Sequence, residues 1–317
     1  MAAINTVQSG VVTIAAGSAS QTVAITSVDM TKSFLIFNVR IDSNEPQFVL
    51  VSGELTNATT LTFERVTAAS SPAANISWYV AEFTSGVTVE RGSINYTTLT
   101  SSDTTITAID AAKAFPIISW RASGTAIDGN DFLRADLTTT TNLQITSEVA
   151  GAATHVVKWQ VVQFDSGASV QAGSAVIDTG DTTKTAAISS IDTTKSMLVF
   201  SYKATTGTTA NIGQKTISGT ITNSTTLTFD RYNSGSTANV KWYVISFTDG
   251  TSVQRGSTAI TATNVLGNAT VSQVGLTKTV AMITGRTRYD LDDNPGYALA
   301  TGHFTTDTNL RLTRAVS

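Results

Sequence analysis

Hydrophobic and polar residues alternate with a period of two along most of the chain, and this alternation predicts β-strands. In the most regular segment, Ile76, Trp78 and Val80 fall on one face of a strand. The residues between them are more polar, so we expect the face that carries the tryptophan to point into a core. No segment combines a 3.6-residue period with helix-capping residues. The pattern therefore predicts an all-β fold.

Two other segments add further strands. The segment "TLTFE", residues 60–64, places Leu61 and Phe63 on one face and threonines on the other. The segment "KSFLIFNVR", residues 32–40, is apolar on both faces, which predicts a central strand that is covered on both sides. Short turns rich in glycine, serine, asparagine and aspartate separate these segments, as is typical of antiparallel β-proteins.

The same segments recur along the chain. The tryptophan strand reads "WYVAEFTSGVTVERGS" from residue 78, "WQVVQFDSGASVQAGS" from residue 159 and "WYVISFTDGTSVQRGS" from residue 242. The Val-x-x-Gly motif of this stretch begins at residues 7, 89, 170 and 253, so successive repeats lie 82, 81 and 83 residues apart. A turn with a lysine and the strand with Leu61 recur in the same phase. A period of this length suits a small β-sandwich.

We therefore predict a tandem array of about four small antiparallel β-sandwich units with an immunoglobulin-like architecture. The predicted units span residues 1–88, 89–169, 170–252 and 253–317. Their predicted core residues are Trp78, Trp159, Trp242, Leu61, Leu143, Leu227 and Leu310. Each tryptophan strand runs directly into the next unit, so we expect stiff joints and either a rod or a compact cluster.

The fourth unit has no tryptophan strand in the sequence. It has the glycine motif at Gly256, the lysine turn at Lys278 and the strand with Leu310, after which we expect the tail "RAVS" to be too short to replace a strand. A sandwich without one strand has an open edge. Either another polypeptide supplies a strand, or the unit closes its own edge as a terminal cap. Leu310 and Leu312 are therefore a candidate assembly surface.

Composition excludes several classes of protein. The formal net charge is −3 and only 14% of residues are charged, so there is no basic surface to hold nucleic acid. The apolar runs are much shorter than a membrane-spanning helix needs. Cysteine is absent, which excludes disulfides and thiolate metal sites. The first residues do not have the pattern of a conventional secretory signal, which favours assembly in the cytoplasm.

Candidate chemistry is sparse. His155, which we place in a loop before the second tryptophan strand, and His303 have no equivalents in other repeats, so we predict packing or surface roles rather than a catalytic triad or a zinc site. Acidic loops after the "KSF" strand suit calcium or paired carboxylates in part, but turn formation explains them as well. These loops contain Asp42, Asn44, Glu45, Asp128, Asn130, Asp131, Asp290, Asp292, Asp293 and Asn294. We predict no catalytic residue, cofactor or metal.

A lysine recurs at each strand entry, three residues after an aspartate or a glycine. We expect a turn in which the lysine stem covers the edge of the sandwich, not a catalytic role. The lysines are Lys32, Lys113, Lys195 and Lys278.

The repeated segments "VDMTKSF", "LTNATTLTFERV" and "ISWYVAEFTSGVTVERGS" resemble a repeat in virion-associated proteins of tailed bacteriophages. The resemblance covers nearly the whole chain, although the fourth unit departs from it at Gly275 and in the absent tryptophan strand. It implies a structural component of the virion: a capsid decoration or cement protein, a fibre or a tail accessory. Its expected partners are other virion proteins and copies of itself, in a homo-oligomer.

The predicted function is therefore that of a non-enzymatic virion protein, assembled in the host cytoplasm and exposed outside it, that binds neither nucleic acid nor membrane. A module of a bacterial cell-surface filament or adhesin is the alternative. The two differ in export, because an adhesin needs a signal or an anchor.

Overall fold

The computed structural model describes residues 3–205, 211–261, 263–287 and 294–315. Its strands form seven antiparallel sheets of three strands each, which confirms the all-β class. The one α-helix in these ranges is the single turn α1 (Pro46–Val49), in the first acidic loop. No helix in the described part of the chain is long and apolar enough to cross a membrane.

Repeat 1 contains two sheets that enclose one core. Its strands are β1 (Ala3–Ile14), β2 (Ser20–Ala24), β3 (Ser33–Arg40), β4 (Ser52–Asn57), β5 (Thr60–Glu64) and β6 (Ala74–Ser85). The long sheet has the order β1-β6-β3 and the short sheet the order β2-β5-β4, so the tryptophan strand β6 lies at the centre of the long sheet. Trp78 on β6 faces Leu61 and Phe63 on β5 across the core between the sheets.

Repeats 2 and 3 have the same topology. Their strands are β7 (Val87–Asn95), β8 (Ser101–Thr105), β9 (Ala114–Ala122), β10 (Arg134–Thr139), β11 (Asn142–Thr146), β12 (His155–Phe164), β13 (Ala168–Ile177), β14 (Thr183–Ala187), β15 (Ser196–Ala204), β16 (Ser218–Asn223), β17 (Thr226–Asp230) and β18 (Ala238–Phe247). The long sheets are β7-β12-β9 and β13-β18-β15, and the short sheets are β8-β11-β10 and β14-β17-β16. Only Gly86 separates β6 from β7, so that joint has no room for a flexible tether.

Repeat 4 has a short sheet but no long sheet among the described residues. Its strands β19 (Leu266–Thr270), β20 (Ala300–Thr306) and β21 (Asn309–Arg314) pair in the order β19-β21-β20, as in the other short sheets. Residues 251–261 and 279–287 correspond to the two outer strands of a long sheet, and neither forms a strand. The unit limits themselves stay a prediction.

The prediction that "KSFLIFNVR" is a central strand was wrong. β3 is an edge strand whose strand partner is β6, and β9 and β15 hold the same position in their sheets. The segment is apolar on both faces because both faces are covered: Leu35 points into the core of repeat 1, whereas Phe34 and Ile36 point into a second apolar cluster. A run of apolar residues shows that both faces of a strand are covered by side chains. It does not show that the strand has hydrogen-bonded neighbours on both edges.

That second cluster, called the shared cluster below, is built from all four repeats. It lies on the outer faces of the long sheets, opposite the tryptophans, and Tyr79, which is 2% exposed, belongs to it. The more polar face of the tryptophan strand is therefore buried between repeats. Members of the cluster from successive repeats include Phe34, Phe83, Phe115, Phe164, Val199, Ile245 and Ala281.

Successive repeats contact each other through the same elements. Strand β4 of repeat 1 packs on the long sheet of repeat 2, where Lys158 pairs with Glu54 at 2.9 Å. Strand β10 of repeat 2 packs on the long sheet of repeat 3, where Lys241 pairs with Asp136 at 2.8 Å. These lysines precede the tryptophans of their strands, so each central strand is tied to the repeat before it.

Repeat 4 contacts repeat 1 in the corresponding way. Strand β20 packs on β3 and β6, and the Tyr79 hydroxyl donates a hydrogen bond to the Gly302 carbonyl oxygen at 3.1 Å. The Lys278 ammonium donates to the carbonyl oxygens of Ile4 and Asn5 at 2.7 and 2.6 Å. Repeat 4 also contacts repeat 3, where the Val253 amide donates to the Thr194 carbonyl oxygen and Arg255 donates to the Ser196 carbonyl oxygen. Because the last repeat also packs on the first, the four repeats form a closed ring, which is a compact cluster and not a rod.

Candidate interaction site

In the first three repeats, a glycine on the first strand allows the tryptophan to lie flat against the backbone. Trp78 is paired with Gly10 and Trp159 with Gly92 in the strand register. A Cβ atom at Gly10 would lie 2.8 Å from Trp78 Cζ2, and one at Gly92 would lie 2.5 Å from Trp159 Cζ2. Gly173 and Trp242 form the third pair of this kind. The glycine of the repeated Val-x-x-Gly motif is therefore the seat of the indole ring.

The fourth repeat has this seat without the indole. A Cβ atom at Gly256, the equivalent glycine, would have nothing within 4 Å. The open site, as the name is used below, consists of residues 251–261 and 279–287 together with Leu310 and Leu312 of β21. In the other repeats, the tryptophan strand lies between the segments that correspond to these two.

The open site leaves part of a core uncovered. Leu61 and Leu143, which correspond to Leu310, are both fully buried, whereas Leu310 and Leu312 are only partly buried. Met282 is 39% exposed, although Ile36 at the same position of repeat 1 is 7% exposed. Leu310 packs against the shared cluster, from which a long sheet separates the cores of the other repeats. Among the residues that the structure describes, no central strand lies between the two segments of the open site, so neither face is covered by one.

The first side of the open site is held in place without a strand partner. The Gln254 side chain donates to the Ser272 carbonyl oxygen at 2.9 Å and accepts from the Ser272 amide at 2.7 Å. Gln8 in repeat 1 makes the same pair of hydrogen bonds with Thr26. In addition, the Val253 amide donates to the Thr194 carbonyl oxygen of repeat 3 at 2.7 Å. Residues 251–261 thus keep contacts that position the first strand elsewhere.

The second side is held by packing on β20. The Ile283 side chain covers Gly302 as the Phe37 ring covers Gly53 in repeat 1, and a Cβ atom at either glycine would collide with it. The Asn38 side-chain amide of repeat 1 also donates to the Ile283 carbonyl oxygen at 3.3 Å. Both sides of the open site are therefore positioned before anything binds between them.

Histidine offers no second candidate site. His155 is the first residue of β12 and is fully buried against the Tyr96 ring, so its placement in a loop was wrong. Burial lowers its pKa from 6.5 to about 4, which keeps the imidazole neutral at pH 7. Burial and the positive charges of Arg311 and Arg40 also lower the pKa of His303. Neither lies in a group of three potential metal ligands among the described residues.

Carboxylates of the acidic loops accept hydrogen bonds from amides of their own turns. Asp131 accepts from the Asp128 amide at 2.8 Å, and Asp128 accepts from the Asn130 amide at 2.9 Å. Asn294 donates to Asp42 at 2.8 Å and so links the fourth repeat to the first. Asp290, Asp292 and Asp293 lie outside the described residues. A cavity of about 320 Å³ lies between repeats 1 and 2; of its charged lining residues, Lys158 pairs with Glu54, and Arg91 donates to the Ser33 carbonyl oxygen.

The recurring lysines belong to short turns that precede the third strand of each repeat. In repeat 1, the Asp29 side chain accepts from the Thr31 amide and pairs with Lys32 at 2.9 Å. The hydrogen bonds from Thr31 and Lys32 lower the pKa of Asp29 to about 2. In the fourth repeat Gly275 replaces the aspartate, and Lys278 contacts repeat 1 instead. The lysine that lost its acidic partner therefore helps to close the ring.

Known proteins do not identify what the open site binds, because no protein-family model matches the chain and no curated protein matches it. The function must therefore follow from the geometry of the site. Residues 251–261 and 279–286, neither of which forms a strand, flank a partly exposed core, and such an arrangement can accept an added β-strand.

Proposed function

We propose that the protein is a non-enzymatic structural component of a bacteriophage virion that contacts its neighbours through the open site of the fourth repeat. Its proposed role in the virion is that of a capsid decoration or cement protein, a fibre or a tail accessory. The proposed location is the virion, assembled in the host cytoplasm and exposed outside it. The proposed partners are other virion proteins and further copies of the chain.

The partial exposure of Leu310 and Leu312 carries this proposal. Their counterparts in the other repeats are fully buried, whereas these two leucine side chains remain partly exposed to water in the open site. Full burial of a leucine stabilises by roughly 1.5–3 kcal/mol. A partner that covers these side chains gains this free energy, and an uncovered open edge promotes association.

The closed ring supports a structural role. Contacts between the repeats combine a continuous apolar cluster with the Lys158–Glu54 and Lys241–Asp136 pairs. Contacts of this kind fix the repeats relative to one another, which suits a subunit that presents a preorganised binding surface. The resemblance of the repeated segments to virion-associated phage proteins is the reason for proposing that the protein is part of a virion.

Particle incorporation of single-residue variants tests the proposal. Leu312→Asp places a charge in the open site, whereas Thr308→Asp places the same charge at the exposed turn between β20 and β21. Both variants should remain folded by circular dichroism, because Leu312 is already partly exposed.

We expect Thr308→Asp to be incorporated into particles at the wild-type level and Leu312→Asp to be lost from them. Normal incorporation of Leu312→Asp would refute the proposal. Deletion of residues 257–317 should also prevent incorporation, but it removes the contacts with repeat 1 as well, so the point variant is the sharper test.

A further inference from the structure

The three complete repeats indicate what the open site accepts. We propose that it binds one β-strand of the tryptophan type from a separate polypeptide chain, antiparallel to residues 251–261 and 279–287, with its tryptophan against Gly256. This inference rests on the proposed function and specifies the chemistry of the partner. It converts an open edge into a site with a defined register.

The register follows from the strand pairing in the complete repeats. Trp78 lies opposite Gly10 on one side and Phe37 on the other. At the equivalent positions of repeat 4 stand Gly256 and Ile283. Glycine weakens an extended strand because it has no side chain to pack, so Gly256 is explained when an indole ring lies on it.

The apolar pattern of the incoming strand follows in the same way. In β18, Val240, Trp242 and Val244 point into the core of repeat 3, and each is at least nine-tenths buried. Tyr243 and Ile245 point into the shared cluster on the opposite face. The open site exposes both faces, so the partner strand needs apolar residues on both of its faces. On the face of the tryptophan, these are the positions two before and two after it; on the opposite face, they are the positions one and three after it.

Charge complementarity specifies the residue before the tryptophan. Where the preceding repeat presents an acidic residue on its short sheet, as Glu54 does, the residue before the tryptophan is a lysine. Where repeat 4 presents His303 to repeat 1, the corresponding residue is Ser77, which accepts from the Gly302 amide at 3.1 Å. On the short sheet of repeat 3, the position that corresponds to Glu54 holds Thr220, which is uncharged. The partner strand should therefore have an uncharged polar residue before its tryptophan.

A second copy of the chain is a poor donor. Its three tryptophan strands are each hydrogen-bonded on both sides, and their indoles are 7%, 5% and 6% exposed at Trp78, Trp159 and Trp242. Release of any one would open a complete core in the donor. The donor that we propose is a different chain that carries an unpaired strand of this pattern.

Binding should have little ordering cost on the acceptor side. Gln254 and Val253 already hold one flank and Ile283 holds the other. Preorganised surfaces lose less conformational entropy on binding, so more of the burial free energy appears as affinity.

Peptide binding to the purified protein tests the proposal. The probe is a labelled synthetic peptide with the sequence of residues 75–84, "NISWYVAEFT", which has the uncharged serine before its tryptophan. We expect saturable binding, and binding on the order of a hundredfold weaker when the tryptophan of the peptide is replaced by alanine. A lysine in place of the serine should also weaken binding.

The acceptor side has a matched pair of variants. Gly256→Val should leave the melting temperature unchanged, because a Cβ atom at this position would have nothing within 4 Å, yet it should abolish peptide binding. Gly92→Val should lower the melting temperature, because it collides with Trp159. Absence of peptide binding to the wild type, or equal binding to Gly256→Val, would overturn the proposal.

The source of the strand is tested in assembled particles. A photo-crosslinking residue at position 257, which is exposed and lies beside Gly256, should yield crosslinked peptides from a different gene product. Crosslinks only to this chain's own sequence would overturn the assignment to a separate partner. If Leu312→Asp prevents incorporation while the peptide does not bind, the strand proposal fails and the proposed structural function stands.

Discussion

The contact between glycine and tryptophan can be tested by a double-mutant cycle at Gly92 and Trp159. Trp159 is 5% exposed, and its indole N–H has no hydrogen-bond acceptor among the described residues. Its contribution to stability is therefore apolar packing, and Trp159→Ala should lower the free energy of unfolding by about 3–5 kcal/mol. Trp159→Phe should cost less than about 1.5 kcal/mol, because no hydrogen bond is lost with the N–H.

Gly92→Val should destabilise the protein by about 1–3 kcal/mol, because the new side chain overlaps the indole. In the double variant, valine occupies space that the tryptophan has left, so the double variant should be more stable than the sum of the single effects indicates, by about 1 kcal/mol or more. Urea denaturation followed by circular dichroism measures all three values. Additive effects, or a cost of Trp159→Ala below about 1 kcal/mol, would refute the glycine-seat explanation.

Three further predictions concern other parts of the ring. The pKa of His155 is about 4 when folded and 6.5 when unfolded, so stability should be complete above pH 6.5 and fall by roughly 3 kcal/mol as the pH drops to 4; His155→Leu should remove this loss in pH-dependent denaturation. Lys241→Met keeps the stem but breaks the pair with Asp136, and should cost about 1 kcal/mol in low salt and less in high salt, measured by thermal unfolding. Tyr79→Phe removes the buried hydrogen bond to Gly302 and should cost about 1 kcal/mol, with faster hydrogen exchange in β20; unchanged exchange would argue against ring closure at this contact.

The sequence alone predicted the β-class and the faces of the principal strands. Alternation with a period of two placed Trp78 and Leu61 in one core because a strand buries one face at a time. The same alternation misjudged the other face of β6, since Tyr79 is polar at its tip but has a large apolar ring that packs between repeats. Local pattern reports that a residue is amphipathic, and only the tertiary contacts decide which part is buried.

Ring closure could not be predicted from the sequence. The contacts that make it join residues far apart in the chain, such as Lys278 with Ile4 and Tyr79 with Gly302. The sequence of a lysine turn does not show whether the lysine pairs with the residue three positions before it or contacts the first strand of the chain. By contrast, the sequence showed that residues 253–317 contain no tryptophan strand, because the repeat supplied three complete examples for comparison. Gly256 was visible too, but its meaning as an indole seat required the geometry of the other glycines.

Hydrogen–deuterium exchange of the open site in free and assembled protein tests the central claim most directly. Residues 254–260 and 279–286 form no strand in the free protein, whereas residues 8–14 of β1, which correspond to residues 254–260, are paired with β6. We expect fast exchange of both segments in the free protein, slow exchange of β1, and strong protection of both segments after assembly. Equal protection of the fourth repeat in the free protein, or continued fast exchange after assembly, would contradict the claim that this site accepts a strand.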